Sequence, residues 1–176
     1  MKKLSLKIRR DVMSYALRAV RIGSEMKDRR GHVFAFAESC TGGLVASSVT
    51  SIPGAADVFC GSAVTYSNEA KMDILGISEN TLRNFGAVSG ECAAEMARGA
   101  LRLFGSRAAV SITGIAGPGG GSDEKPVGTV WFASAVLDGK ARAVKSLFSG
   151  QPRNTVRLLA ARRALLLLLK ELENIR

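Results

Sequence analysis

One stretch constrains the fold more than any other. The mostly apolar residues Val33 to Ala37 run directly into Glu38-Ser39-Cys40-Thr41-Gly42-Gly43, and a helix-like segment starts at Leu44. A short apolar strand, a small polar turn and a helix, in this order, are typical of open α/β sheets. Such sheets bind their ligands at the carboxyl ends of the strands. The pattern therefore predicts that Ser39 lies on a strand-to-helix turn at a ligand-binding edge.

Two interpretations of this turn stay open. The backbone N–H groups of Thr41, Gly42 and Gly43 lie at or near a helix start, where they lack intrahelical partners. They could bind a phosphate or a developing oxyanion. Alternatively, Ser39 or Thr41 merely caps the helix, a role that both residue types favour. Cap and site chemistry use the same residues, so this stretch alone does not decide between them.

Length and cysteine content limit the class of protein. The chain has 176 residues and 47% hydrophobic content, enough for one domain with a substantial core and too little for two ordinary ones. We therefore predict a single domain over residues 1–176. Cys40, Cys60 and Cys92 lack the spacing of a zinc site or redox motif, which favours a reducing compartment and a small buried thiol at Cys40. No stretch has the composition of a signal peptide or membrane span, so we expect a cytoplasmic protein without a membrane partner.

The net charge of +10 is confined to the two ends of the chain. Residues 1–30 carry ten basic against three acidic residues, residues 31–139 six against ten, and residues 140–176 nine against two. Both basic ends have helical periodicity, and aromatic residues that could stack on bases are scarce there. We therefore expect solvated helix faces and no nucleic-acid partner. General attraction of anionic ligands stays a weaker alternative.

Hydrophobic periodicity predicts elements in the order helix, strand, helix, strand, helix, helix, strand, strand, strand, helix. This alternation predicts an α/β fold, a three-layer α/β/α sandwich with a mixed sheet. Gly61, inside the second strand, indicates a bulge or a close approach. A further helical turn is expected near residues 78–82. The elements are expected at residues 8–27, 33–37, 44–50, 57–66, 67–75, from 89, 108–113, 127–137, 141–148 and 153–172, with turns at 28–31 and 138–139.

A nucleophilic serine needs a base. His32, the only histidine, precedes the strand that ends near Ser39. At about 3.3 Å per residue the strand holds His32 and Ser39 roughly 20 Å apart, so a Ser-His-Asp triad within the subunit is disfavoured. A lysine serves instead when burial or nearby cations lower its pKa. If the first two strands are parallel neighbours, Tyr66 and Lys71 lie near Ser39, and Tyr66 could relay a proton or orient the lysine. The alternative is a solvated Lys71 and a packing Tyr66.

The glycine-rich segment Gly114 to Pro126 is a second candidate binding element. It lacks the Lys-Ser/Thr ending of a P-loop and the spacing of a dinucleotide fingerprint. Its glycines, among them Gly117, Gly119 and Gly120, permit close backbone approach to an anion. A flexible surface connection is the alternative, although a loop this long is often functional.

Two side chains lie next to this loop in the predicted order of elements. Thr113 ends the strand before the loop, so its hydroxyl would meet a ligand at the same sheet edge. Arg153 begins the last helix and could pair with a phosphate, unless it is simply a surface arginine. No cluster of acids and histidines has metal-ligand spacing, so we expect no metal.

Five blocks of the sequence, in order from about residue 8 to the end, closely resemble the CinA C-terminal domain family. The blocks are Ala37-Glu38-Ser39-Cys40-Thr41-Gly42-Gly43, Tyr66-Ser67-Asn68-Glu69-Ala70-Lys71, Gly86-Ala87-Val88-Ser89, Thr113-Gly114-Ile115-Ala116-Gly117-Pro118 and Lys125-Pro126-Val127-Gly128-Thr129-Val130. The resemblance implies a nicotinamide-nucleotide amidase, which hydrolyses the carboxamide of nicotinamide mononucleotide to nicotinate mononucleotide and ammonia without a cofactor. Five blocks together are far more specific than any one of them.

The resemblance also implies roles for individual residues. Ser39 would be the nucleophile and Lys71 its general base, assisted by Tyr66. Thr113 and Arg153 would position the nucleotide, with backbone N–H groups after the serine holding the oxyanion. A homo-oligomer, with a dimer favoured, is a further expectation.

The chain departs from the family pattern at two places. The family commonly has Gly-Asp-Arg before the last helix, where this chain has Gly150-Gln151-Pro152-Arg153, and Ser62 stands where a second glycine is usual. The first departure leaves the placement of Arg153 open. The competing hypothesis is a nucleotide-binding or partner-binding module without turnover, associated with competence or the response to DNA damage.

Overall fold

The computed structural model of the chain describes residues 2–26, 33–137 and 139–176. The helices are α1 (Lys2–Met26), α2 (Leu44–Thr50), α3 (Asn68–Leu75), α4 (Glu79–Phe85), α5 (Gly90–Phe104) and α6 (Arg153–Ile175), with a short 3₁₀ helix at Ala55–Asp57. The strands are β1 (Phe34–Glu38), β2 (Phe59–Val64), β3 (Ala108–Gly114), β4 (Thr129–Val136) and β5 (Arg142–Leu147). The predicted turn at residues 28–31, His32 and Asp138 lie outside the described residues.

The strands form one mixed sheet in the order β2-β1-β3-β4-β5. Strand β1 pairs in parallel with both β2 and β3, whereas β4 and β5 are added in antiparallel fashion. All five residues of β1 are buried, as expected for a central strand covered on both faces. The predicted mixed sheet is confirmed, and β1 and β2 meet the condition under which Tyr66 and Lys71 were expected near Ser39.

Helices cover both faces of the sheet, which confirms the three-layer α/β/α prediction. Phe34 and Phe36 of β1 join the large core that the sheet forms with α1, α2 and α6. The side chain of Ala37 lies on the other face of the sheet from Phe34 and Phe36, where it joins the smaller core beneath α3 and α5. The leucine-rich segment of α6 is buried in the large core, with Leu165 and Leu168 fully inaccessible. In the described ranges, no helix combines the length and apolar composition needed to cross a bilayer.

The helix boundaries differ from the predictions mainly at the ends. Helix α1 begins at Lys2 rather than residue 8, because the prediction followed the buried stripe that starts at Ile8. The preceding Leu4 and Leu6 are exposed and continue the helix through their intrinsic propensity. The predicted helical turn near residues 78–82 is the longer helix α4, whose N-cap is Ser78.

Gly61 accounts for an irregularity in β2. Phe34 pairs with Phe59 and Ala35 pairs with Gly61, so Cys60 is an extra residue in the ladder. A Cβ atom at Gly61 would lie 2.6 Å from the ring of Phe104. The sequence predicted a bulge or a close approach at this glycine, and the structure shows both.

Candidate active site

The parallel pairing of β1 and β2 brings two sequence-distant side chains together. Ser39 directly follows β1, and Lys71 lies in the first turns of α3, which follows β2. The Nζ atom of Lys71 is 3.3 Å from the Oγ atom of Ser39, and both residues are buried. This distance allows a hydrogen bond between the amine and the hydroxyl. The sheet edge therefore holds a serine with a basic side chain in contact.

Backbone carbonyls orient the amine of Lys71. The Nζ atom lies 2.9 Å from the carbonyl oxygen of Thr65, and 3.4 and 3.5 Å from those of Tyr66 and Ser67. Lys71 is 1% exposed, and burial lowers its pKa because desolvation disfavours the ammonium form. A neutral amine can donate to two carbonyls and accept the proton of the Ser39 hydroxyl. The surroundings therefore suit a general base.

The capping interpretation of the turn is wrong for Ser39 and Thr41. The first N–H groups of α2 are instead capped by a side chain from the end of β1. The Glu38 carboxylate accepts hydrogen bonds from the N–H groups of Val45 (3.2 Å) and Ala46 (2.9 Å). The hydroxyl of Thr41 is buried without a hydrogen-bond partner among the described residues. Because Glu38 caps α2, the Ser39 hydroxyl faces Lys71 instead.

Glu38 is a structural carboxylate that the sequence analysis did not single out. It is fully buried, and its third hydrogen bond comes from the Ser62 hydroxyl at 3.2 Å. The Ser62 hydroxyl therefore adds a donor to this buried carboxylate. A charged residue at the end of an otherwise apolar strand was the available signal.

The turn after the serine is built from two glycines in left-handed conformations. Gly42 has a φ of 59° and Gly43 a φ of 86°, values that favour glycine. The N–H of Gly42 donates to the carbonyl of Ser39 at 3.0 Å. Within the described residues, the N–H groups of Thr41 and Gly43 have no hydrogen-bond acceptor. Thr41 is fully buried, however, so the binding of a ligand oxygen by these N–H groups stays a prediction.

A cavity of about 290 Å³ opens beside the serine and the lysine. This volume is near the lower end of the roughly 300–1,000 Å³ typical of small-molecule sites. Of the predicted substrate-binding residues, Thr41, Gly42 and Gly43 do not line it. The predicted residues that do line the cavity are Ser39, Tyr66, Lys71, Thr113, Gly117, Gly119, Gly120 and Arg153, joined by Cys40 and Asn68.

Arg153 bridges the glycine-rich loop and Tyr66 across this cavity. Its Nη1 atom donates to the carbonyl of Gly117 at 2.6 Å, and its Nη2 atom donates to the Tyr66 hydroxyl at 3.1 Å. The structure thus places Arg153 at the cavity despite the altered residues before α6. The Tyr66 phenol pairs with this arginine, while its backbone carbonyl contacts the Lys71 amine. The proton relay through the phenol stays a prediction.

Thr113 and Cys40 complete the floor of the cavity. The Thr113 hydroxyl is 1% exposed and donates to the carbonyl of Ala87 at 2.7 Å, which leaves its oxygen lone pairs for a ligand. Cys40 is a buried free thiol, as expected, and burial raises its pKa to about 12. The nucleophilic candidate at neutral pH is therefore the serine and not the neighbouring thiol.

Arg157 is a second residue that the sequence analysis missed. Its Nη2 atom donates to the carbonyl of Thr41 at 2.8 Å. This hydrogen bond connects α6 to the serine-bearing turn, which comprises residues 39–43. The only sequence signal was its position one helical turn after Arg153.

Comparison with known proteins identifies the family. The model of the CinA C-terminal domain matches residues 15–172. The chain belongs to the CinA C-terminal domain family. This finding confirms the family resemblance drawn from the five sequence blocks.

Curated relatives of the chain carry three kinds of name. The nicotinamide-nucleotide amidohydrolase PncC of Enterobacter agglomerans is 52% identical over 143 residues, covering 81% of this chain and 86% of that protein. A putative competence-damage inducible protein of Clostridium perfringens is 49% identical over 154 residues, 88% of this chain. The chain spans only 37% of that longer protein, and 30% of a CinA-like protein of Fervidobacterium nodosum with 51% identity over 70% of this chain.

Solved structures of family members share the same fold. The competence/damage inducible protein CihA of Agrobacterium tumefaciens superposes with a TM-score of 0.85 at 41% identity, covering 93% of this chain and 96% of that one. A CinA superfamily protein of Klebsiella pneumoniae gives a TM-score of 0.83 at 35% identity, covering 93% and 98%. The sandwich described above is therefore the architecture of the family.

Proposed function

We propose that this chain is a nicotinamide-nucleotide amidase, which hydrolyses the carboxamide of nicotinamide mononucleotide to nicotinate mononucleotide and ammonia. The observation that carries the proposal is the 3.3 Å contact between the Lys71 amine and the Ser39 hydroxyl at the floor of a cavity. Further support comes from the amidohydrolase of Enterobacter agglomerans, which is 52% identical and is matched over 86% of its length.

The reaction begins with the neutral amine of Lys71. It accepts the Ser39 hydroxyl proton while the serine oxygen attacks the carboxamide carbon and forms a tetrahedral intermediate. Backbone N–H groups after the serine stabilise the negative oxygen. The lysine ammonium then gives its proton to the departing nitrogen, and the C–N bond breaks to release ammonia.

A water molecule completes the turnover. Lys71, neutral again, accepts a proton from water as the water oxygen attacks the ester carbon. Collapse of the second intermediate returns a proton to Ser39 and releases the nicotinate product. The same hydroxyl and amine thus serve both halves of the reaction, as the burial of Lys71 and its lowered pKa permit.

Recognition of the nucleotide is assigned to the side of the cavity where Arg153 contacts the glycine-rich loop. Arg153 carries a positive charge there, and its guanidinium can pair with a phosphate through two N–H groups. Gly117, Gly119 and Gly120 line the same side and allow a phosphate to approach the backbone. The Thr113 hydroxyl oxygen and the Tyr66 phenol supply further polar contacts around the substrate.

An amidase assay tests the proposal directly. Purified protein supplied with nicotinamide mononucleotide should release ammonia and nicotinate mononucleotide in equal amounts. Ser39→Ala should abolish release while the fold, followed by circular dichroism, is retained. Binding of the nucleotide without ammonia release by the wild-type protein would instead favour a binding module without turnover.

A further inference from the structure

Arg157 contacts the serine-bearing turn from outside the cavity. It is half-buried on α6, one turn after Arg153, and its Nη2 atom donates to the Thr41 carbonyl at 2.8 Å. The same nitrogen would lie 3.6 Å from a Cβ atom at Gly42, so the guanidinium packs closely against the backbone of the turn. Arg157 is not among the residues that line the cavity. Its observed contact is therefore with the protein backbone and not with the cavity.

The charge of Arg157 has no acidic partner in the part of the chain that the structure describes. The next arginine along α6, Arg162, is instead paired with Asp11 at 2.8 Å. A half-buried guanidinium that lacks a carboxylate depends on its remaining hydrogen bonds, and a bond from a charged donor is stronger than a neutral one. The bond to the Thr41 carbonyl is therefore the main polar contact that fixes this side chain.

The turn needs an external tie because its own backbone is permissive. Gly42 and Gly43 both have positive φ angles, and glycine populates several other conformations nearly as readily. A displacement of the turn moves Ser39 relative to Lys71, whose amine is held separately by carbonyls after β2. Misplacement of a reacting group by about 1 Å can cost roughly 100-fold in rate.

We propose that Arg157 is a positioning residue, which holds the serine-bearing turn in register with the Lys71 amine through the Thr41 carbonyl. This inference rests on the proposed amidase function. Because Arg153 lies on the same first turns of α6, one helix end serves both nucleotide recognition and placement of the nucleophile. The positive charge of Arg157 also acts on Cys40, next to Ser39, where it opposes the effect of burial on the thiol pKa.

Three variants test this inference. Arg157→Leu removes both the charge and the hydrogen bond, Arg157→Lys keeps the charge, and Arg163→Leu replaces an exposed arginine of the same helix as a matched control. Ammonia release gives kcat and KM, and hydrogen exchange of residues 40–46 in the protein without ligand reports on the turn independently of activity. We expect Arg157→Leu to lower kcat by about 10- to 100-fold with KM within about threefold, since alignment and not binding is lost.

The rate of amide hydrogen exchange should rank the variants as their loss of kcat does. In Arg157→Leu the amides of residues 40–46 should exchange at least about tenfold faster than in wild type. Arg157→Lys should restore part of both effects, and Arg163→Leu should match wild type in both. If Arg157→Leu does not fold, Arg157→Gln replaces it, since a shorter amide cannot keep the same reach.

The outcomes separate this inference from the proposed function. An active wild-type enzyme whose Arg157 variants keep kcat and normal exchange overturns the positioning role. A rise in KM with unchanged kcat and exchange overturns it as well, because Arg157 would then contact the substrate. Faster exchange in the Arg157 variants of a protein that never releases ammonia refutes the amidase and supports the tie between α6 and the turn.

Discussion

The buried carboxylate of Glu38 provides the sharpest test of how the nucleophile is placed. In Glu38→Leu, the N–H groups of Val45 and Ala46 lose their acceptor. An unpaired buried donor costs about 1–3 kcal/mol, so two donors correspond to about 2–6 kcal/mol. Val45 is buried and Ala46 only half-buried, and removing the carboxylate relieves its own desolvation. We therefore expect a loss of about 2–4 kcal/mol in the free energy of unfolding.

Ser62→Ala is the matched control for this substitution. It removes the third hydrogen bond to the same carboxylate but leaves both backbone donors paired. The expected loss is only about 1 kcal/mol, the usual net value of one hydrogen bond. The two variants together separate the cap of α2 from general packing around the buried charge.

Urea unfolding measures both variants. Trp131, the only tryptophan, supplies the fluorescence signal, and linear extrapolation gives the free energy of unfolding. Because Glu38 precedes Ser39, the folded Glu38→Leu enzyme should also lose kcat. A loss of stability below about 1 kcal/mol, or an equal loss in Ser62→Ala, would contradict the assignment of Glu38 as the cap of α2.

Four further predictions concern the residues of the cavity. Single Ser39→Ala and Lys71→Met variants should each lower kcat by at least about 1,000-fold, and the double variant should be no worse than either, because residues that act as a unit are not additive. The kcat/KM of ammonia release should rise with pH and level off above the lowered pKa of Lys71 in the free enzyme, below its ordinary value of 10.5, because the neutral amine is the base. Between that pKa and 10.5 the unfolded chain binds more protons at Lys71 than the folded chain does. The free energy of unfolding should therefore also rise with pH over this range. A fall in this free energy, measured by urea unfolding, would contradict the desolvation of Lys71. Arg153→Leu should raise KM for nicotinamide mononucleotide by about 10- to 100-fold, the loss of one charge-assisted interaction, and should leave KM for nicotinamide riboside nearly unchanged. Equal effects on both substrates would show that Arg153 does not read the phosphate.

The contact between Ser39 and Lys71 was predicted only on the condition that the first two strands are parallel neighbours, and the choice of Lys71 as the base came from the family resemblance. Their contact follows from two strand ends of a parallel pair, and hydrophobic periodicity located both strands. The sequence could not predict the hydrogen-bond partner of the Tyr66 phenol, because that partner is Arg153, 87 residues further along the chain. Periodicity also placed the start of α1 too late, since Leu4 and Leu6 face solvent and show no buried stripe.

Glu38 and Arg157 were missed for a shared physical reason. A charged residue is normally assigned to the surface, and the weak local signals at Glu38 and Arg157 do not show which distant backbone groups they bind. The acceptor of Arg157 lies 116 residues away at Thr41, and the donors to Glu38 belong to a helix whose orientation only the folded sheet defines. Contacts of side chains with distant main-chain groups leave no periodic trace in a sequence.

Apart from the Ser39 hydroxyl, the acceptors around the Lys71 amine belong to the main chain of residues 65–67. A substitution changes the side chain and keeps the main-chain oxygen, so substitutions at these three positions leave the carbonyl acceptors of the Lys71 amine in place. Substitutions of the buried Thr65 and of Ser67, whose side chain caps α3, should therefore lower stability before they lower kcat, whereas substitutions of Lys71 should lower kcat first.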